Sequence, residues 1–200
     1  GITHHTFSAK GLSCEVLLLC NREQRGAILS TITDGRAKLH PLGILVETTQ
    51  FARIAAMRTY RELVFPVHTK GLVPAEPKQA AEMLMESDLL KLLSRYHKED
   101  GAFYFRIECK SPMTLEERSA FSKKLSAELE RLSGGRLCNS TTDYEVELRL
   151  IANREGAFFP CLKLFTRKDK RFSYRKNAIA ASIHPSTAAL IAELSAPYLK

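Results

Sequence analysis

No apolar run in this chain approaches the roughly 20 residues a helix needs to cross a bilayer; the longest short one, Val16-Leu17-Leu18-Leu19-Cys20, is strand-sized. No Cys-x-x-Cys pair occurs among the five cysteines (Cys14, Cys20, Cys109, Cys138, Cys161). Their odd number and wide scatter support neither a disulfide framework nor a zinc site. Cys109 and Cys161 fall within apolar strand patterns and read as buried, inert thiols, a usage that suits the reducing cytoplasm. A phosphate-cradling glycine loop is missing too, because Gly134-Gly135 follows a helix pattern and does not precede one. Neither Gly-x-Ser-x-Gly nor His-Glu-x-x-His appears. Glu116-Glu117 and the Glu128/Glu130 pair fall on a helix exterior, and the six histidines are spread out. No nucleophile can be named with its base, so the chain reads as catalytically empty. The start, Gly1-Ile2-Thr3-His4-His5, lacks both the basic-then-apolar pattern of a signal peptide and an initiator Met, which suggests a fragment of a longer protein.

Acidic residues are also in short supply, 22 against 30 lysines and arginines, for a net charge of +8. The excess is concentrated. Residues 163–176 hold Lys163, Arg167, Lys168, Lys170, Arg171, Arg175 and Lys176, seven cations against the one anion Asp169, a local +6. Phe165, Phe172 and Tyr174 are interleaved with them. Cations with flat rings among them suit a polyanion that also offers stacking faces, which describes RNA better than a lipid surface. The alternative is a solvated basic linker between packed regions.

At 200 residues, 44% hydrophobic and 26% charged, the chain can bury a core in one large or two small domains. A connection at residues 70–77, with Gly71, Pro74 and Pro77, divides it. Before that point, residues 12–20, 43–48 and 61–67 read as strands, and residues 22–32 and 50–59 as helices. After it, residues 78–96 carry one apolar stripe at helical spacing. Phe103, Phe105, Ile107 and Cys109 alternate with Tyr104, Arg106, Glu108 and Lys110, a half-buried strand. Thr114 and Glu117 form a capping-box signature, opening a helix that buries Leu115, Phe121, Leu125, Leu129 and Leu132 and stops at Gly134-Gly135. A strand over residues 144–150, a hairpin turn at residues 153–156 and a return strand over residues 158–165 follow, with Pro160 arguing for an edge or a bulge. Helices against one layer of strands make an α+β sandwich. Past the basic segment, Ser186 is the N-cap of a helix with an apolar stripe at Leu190, Ile191, Leu194 and Tyr198, which reads as the entrance to a missing domain.

The stretch from Leu164 to Lys176, followed by Ala181-Ser182-Ile183-His184-Pro185-Ser186-Thr187-Ala188-Ala189, resembles the junction in THUMP-containing, S-adenosylmethionine-dependent RNA methyltransferases. There a strand ends in a Tyr-Arg element and a Pro-x-x-Ala-Ala helix opens the catalytic domain. Phe103-Tyr104-Phe105-Arg106 and Asp143-Tyr144-Glu145-Val146-Glu147-Leu148 resemble two THUMP strands. Residues 43–67, with Arg58 and Arg61, resemble the small ferredoxin-like domain that commonly precedes them. The resemblance implies an α+β chain in three parts: a ferredoxin-like domain over residues 1–70, a THUMP-like α/β sandwich over 71–166, and a basic linker with the first catalytic-domain helix over 167–200. The family's glycine-rich cofactor loop and its Asn/Asp-Pro-Pro-aromatic motif are absent. No cofactor is therefore expected in this chain, S-adenosylmethionine belonging to the full-length enzyme.

The resemblance further implies capture of structured RNA, transfer or ribosomal, for base methylation by the catalytic domain. The expected phosphate contacts are Arg167, Lys168, Lys170, Arg171, Arg175 and Lys176, with Tyr174 packing at the junction or stacking on a base. Arg106 and Lys110 are further RNA-binding candidates, unless they pair across strands with Glu145 or Glu147. The competing reading is a structural or regulatory interaction domain that dimerises or docks through its last helix. No membrane partner is expected under either.

Overall fold

The computed structural model describes residues 13–33 and 35–165, which fall into a unit ending at Val64 and a unit starting at Phe65. The first unit begins with the apolar run read from the sequence. Val16, Leu17 and Leu18 of β1 (Cys14–Leu19) are all buried, so this strand is covered on both faces and does not alternate. The chain continues through α1 (Arg22–Thr31), β2 (Gly35–His40), β3 (Gly43–Thr48), α2 (Phe51–Ala55) and into β4 (Glu62–Pro66). The strands lie in the order β2-β3-β1-β4, every neighbour antiparallel. This β-α-β-β-α-β succession is the expected ferredoxin-like arrangement.

Two local features differ from the sequence reading. The helix expected over residues 50–59 stops at Ala55, because Tyr60 is fully buried and its hydroxyl donates to the Ala55 carbonyl at 2.6 Å. Strand β2 was not anticipated: its burial pattern is largely exposed, and Leu39 is left open to solvent. It is held as an edge strand by its full ladder to β3, from Gly35↔Thr48 to His40↔Gly43.

The second unit adds α3 (Pro77–Glu86), α4 (Leu89–Tyr96), β5 (Phe103–Lys110), α5 (Leu115–Leu132), β6 (Leu137–Asn139), β7 (Val146–Ala152) and β8 (Phe158–Leu164). Its strands run from the end of β4 through β8, β7 and β5 to β6. The pairs β4–β8 and β8–β7 are antiparallel, and β7–β5 and β5–β6 are parallel. The helices cover one face, where Leu89, Leu93 and Leu129 meet Phe105, Leu148 and Leu162. Phe65 stacks on Tyr96 with centroids 4.5 Å apart, and Phe121 on Phe158 at 5.5 Å. Each such side chain, fully buried, contributes about 1.5–3 kcal/mol of transfer free energy.

The single helix read over residues 78–96 is two. It breaks at Ser87-Asp88, where Ser87 Oγ donates to the Leu84 carbonyl and accepts from the Leu89 amide, while the Asp88 carboxylate accepts from the His68 amide at 2.8 Å. Both helices keep the stripe pointed at the same core, so periodicity alone does not register the break. In α5 the capping box is present, Glu117 donating its amide to Thr114 Oγ1 at 3.2 Å. Phe121, Leu125 and Leu129 are buried, whereas Leu115 and Leu132, at its two ends, are 70% and 37% exposed and lie outside the core. Gly134 and Gly135 take φ of 62° and 82°, the left-handed turn that stops the helix.

Pro160 lies on an interior strand, not an edge. It faces Leu150 on β7, and on its other side its carbonyl accepts from the Val67 amide at 3.0 Å. A strand residue's N and O point the same way, so the donor that proline lacks would have faced Val67, just past the end of β4, where the ladder is already running out. Among the described residues no helix is long and apolar enough to cross a membrane, and no group of three His, Cys, Asp or Glu is placed to hold a metal.

Candidate nucleic-acid interface

The seven residues expected to form the main RNA contact (Arg167, Lys168, Lys170, Arg171, Tyr174, Arg175 and Lys176) lie outside the described residues, as does the final helix. Arg106 and Lys110 are described, on the opposite face of the second unit's sheet from Phe105 and Leu148, a face that is itself buried at Glu147, Arg149 and Cys161. Alternation on β5 puts Tyr104, Arg106, Glu108 and Lys110 there, and register with β7 sets Arg106 opposite Glu147, Glu108 opposite Arg149 and Lys110 opposite Ile151. On β8, Lys163 is opposite Glu147 and Cys161 opposite Arg149.

The two candidates part company here. Arg106 Nε donates to Glu147 Oε2 at 2.7 Å, with its NH2 group at 2.5 Å from the same oxygen. Glu147, only 1% exposed, uses its other oxygen to accept from Arg149 Nε at 2.6 Å. The guanidinium of Arg106 also stands 4.1 Å from the Tyr144 ring centroid and 5.9 Å from that of Phe165. Partial burial works against its charge, but the hydrogen bond and charge of Glu147, with Tyr144 and Glu108 nearby, hold its pKa above the ordinary guanidinium value. Arg106 is thus in the cross-strand pair with Glu147 that the sequence allowed. Lys110 is exposed and has an apolar residue opposite it.

Beside Arg106 lies a cluster that the sequence reading did not single out. Lys98 Nζ donates to Glu145 Oε1 at 2.8 Å, and Glu145 Oε2 meets Nε2 of the buried His97. Burial would raise the Glu145 carboxyl, but hydrogen bonds from Lys98 and His97 and their charges bring its pKa below the ordinary value. The Lys98 ammonium lies 5.8 Å from the ring centroid of Tyr104, which is 43% exposed. Phe165, 41% exposed, meets Tyr144 edge-on at 5.1 Å, and its amide donates to the Glu145 carbonyl at 3.0 Å. At the start of β5 and the end of β8, two exposed rings therefore lie beside a lysine and an arginine. The other six cations of the basic segment, Arg167 to Lys176, follow Phe165 in the sequence. A signal for Tyr104 was available, since it is an aromatic residue on the polar side of its strand, alternating with Arg106.

No protein-family model matches this chain, and no curated protein does. Solved structures do. Its fold is similar to that of TrmN from Thermus thermophilus. The TM-score is 0.54 at 18% identity, over 92% of this chain and 55% of that one. A 4-thiouridine synthetase, solved as an RNA complex with bound ATP, matches over 74% of this chain and 40% of its own at 10% identity and a TM-score of 0.48. PH1313 from Pyrococcus horikoshii matches over 77% and 56% at 12% identity and a TM-score of 0.40. The chain spans about half the length of the solved structures it matches. At 18% identity the likeness to TrmN is one of fold. At that level it bears out the α+β class and the resemblance to the ferredoxin-like plus THUMP part of such proteins.

Proposed function

We propose that this chain is the RNA-capturing part of an S-adenosylmethionine-dependent RNA methyltransferase. It holds a structured transfer or ribosomal RNA while a catalytic domain outside these residues methylates a base. The observation that carries this reading is the likeness of fold to TrmN over 92% of the chain, taken with the resemblance of residues 103–106, 143–148 and 164–189 to THUMP-containing RNA methyltransferases. The basic segment of residues 163–176 supports it on independent grounds of charge. Arg167, Lys168, Lys170, Arg171, Arg175 and Lys176 neutralise phosphates and set register without reading sequence. Tyr174 packs or stacks beside them. Lys110 adds a phosphate contact from the sheet, and the Arg106 guanidinium, engaged by Glu147, holds the Tyr144 and Phe165 rings beside Tyr104. Recognition of this kind reads the shape of a folded RNA. The cofactor and the bond-making chemistry belong to the catalytic domain, and no residue of this chain is assigned to them.

A salt titration of binding to a transfer-RNA transcript tests the reading. Six engaged phosphates give a log–log slope of about −4 to −5, and affinity falls by about a thousandfold between 50 and 200 mM salt. A flat response overturns it, as does undiminished binding after Arg171, Arg175 and Lys176 are together replaced by glutamine.

A further inference from the structure

One side of the first unit's sheet lies away from that unit's own helices. Because β3 is antiparallel to both β1 and β2, those two strands run parallel; because β1 is antiparallel to both β3 and β4, so do those two. The connections β1-α1-β2 and β3-α2-β4 therefore join parallel strands, and they cross the sheet in opposite directions. Right-handed crossovers then place both helices on one side. Burial on β3 identifies that side, since Ile44, Val46 and Thr48 are buried whereas Leu45 is half-buried and Glu47 exposed. Across from Glu47 and Leu45 on β2, Arg36 and Lys38 are exposed as well.

On β1 and β4 this second side is closed. Register sets Leu17 beside Leu45 and Val64, and Leu19 beside Gly43 and Glu62, so Leu17, Leu19 and Val64 face away from α1 and α2. They are nevertheless only 1%, 7% and 0% exposed. Neither helix of the first unit can supply that second cover. The cover is narrow, because burial fades from β1 and β4 to Leu45 on β3 and is gone at Arg36 and Lys38 on β2. Two strands about 4.8 Å apart make a strip about 10 Å wide, the diameter of one helix. The length fits too, since the 6 residues of β1 run about 20 Å, which a helix of about 13 residues spans.

We infer that this strip, at Leu17, Leu19 and Val64, is the docking surface for a helix of residues 186–198 of the same chain, through its apolar stripe Leu190, Ile191, Leu194 and Tyr198. Such a helix is about 20 Å long, and the spacing of the four residues puts them on one face. The other stretch outside the described residues, 1–12, has large apolar residues only at Ile2, Phe7 and Leu12 and carries no such stripe. Residues 166–185 serve as the tether. A flexible chain of that length has an end-to-end distance of about 25 Å and an effective concentration on the order of millimolar, which favours the chain's own helix over one from a second copy. The stripe is thereby used within the first unit, and the inference stands independently of RNA capture.

The test uses the full chain, with Cys138→Ser removing its half-exposed thiol. Leu17→Cys places a reporter in the strip, while the buried Cys14, on the helix side of the same strand, reports whether the unit stays folded. A disulfide-exchange reagent should label the Leu17→Cys thiol only at the rate of unfolding. Adding Leu190→Glu and Leu194→Glu should speed that labelling by about tenfold or more while Cys14 stays slow. Slow labelling of the reporter with both glutamates in place would mean that something else covers the strip, and would overturn the inference. If Cys14 also becomes fast, the unit has unfolded and cross-linking decides. Without the glutamates, Leu17→Cys is combined in turn with Leu190→Cys, Ile191→Cys or Leu194→Cys and oxidised; a packed stripe should close a disulfide within the monomer in at least one pairing. A disulfide-linked dimer would assign the strip to a second copy, and no linkage in any pairing would take the stripe away from it. Either result overturns the inference.

Discussion

Arg106 and Glu147 face each other across β5 and β7, Nε 2.7 Å from Oε2, with the arginine lying over the Tyr144 ring and the glutamate shared with Arg149. A buried carboxylate between two guanidiniums is stabilising only while it stays charged and bonded on both sides. Glu147→Gln therefore removes the buried charge that Arg106 and Arg149 share, Arg149 itself being 6% exposed, and costs about 3 kcal/mol in urea unfolding. Arg106→Gln costs less, about 1–2 kcal/mol, because Arg149 still holds Glu147 and the Arg106 side chain is 35% exposed. A double-mutant cycle reads the coupling directly. Because the Arg106 guanidinium is held by Glu147 through both Nε and its NH2 group, its replacement is expected to leave the RNA salt slope unchanged. A slope reduced by about 1 would instead make it a phosphate contact.

Glu145 joins the end of α4 to the start of β7 through Lys98 and His97. Its folded pKa is depressed, so its contribution is present above the unfolded carboxyl pKa of about 4.3 and is lost as pH falls through the lower folded value. Glu145→Gln is expected to cost about 1–2 kcal/mol at pH 7. The wild-type and variant stability curves should converge as the pH is lowered past that folded value. Curves that stay parallel down to that pH would mean that the carboxylate charge contributes nothing.

The thiols give a chemical check on packing. Burial pushes Cys109 up to about 11 and Cys161 to about 12, and Cys14 and Cys20 are buried as well. At pH 8 a thiol of pKa 11 is about one part in a thousand thiolate, and the thiolate is the reactive form. A disulfide-exchange reagent should therefore find one fast equivalent in the native chain, Cys138, whose sulfur lies half-exposed near the Gly135 carbonyl. The other four should appear at the rate of unfolding. Fast labelling of Cys161 would show that its face of β8 is open.

How far the sequence carried the fold can be judged from particular elements. The strand Phe103–Lys110 was legible because one of its faces is buried, which imposes a period of two. The α5 start was legible because Thr114 and Glu117 cap it locally. Strand β2 was not, since an edge strand stays in place by pairing with β3 and leaves no apolar pattern. The three-residue β6 is too short for any pattern. The interior place of Pro160 depends on where β4 ends, which is a fact about the neighbouring strand. Of the candidate site, the charge of Arg106 and Lys110 was visible, but their different fates depend on β7 placing Glu147 opposite one and Ile151 opposite the other.

Tyr104 separates stacking from charge. Its ring is 43% exposed, on the same side of β5 as Arg106 and 5.8 Å from the Lys98 ammonium. If an unpaired base stacks there, Tyr104→Ala removes about 1–3 kcal/mol of RNA affinity. No phosphate contact goes with it, so the salt slope stays as in wild type. Tyr104→Phe keeps the π-face and should bind like wild type, whereas Tyr104→Leu, similar in hydrophobicity but without that face, should lose most of what alanine loses. The ring is largely open, so the alanine variant should unfold within about 0.5 kcal/mol of wild type. Affinity, slope and stability together then give three independent readings on one side chain. A leucine variant that binds as tightly as phenylalanine would leave Tyr104 as apolar cover for the sheet and move base contact to another ring.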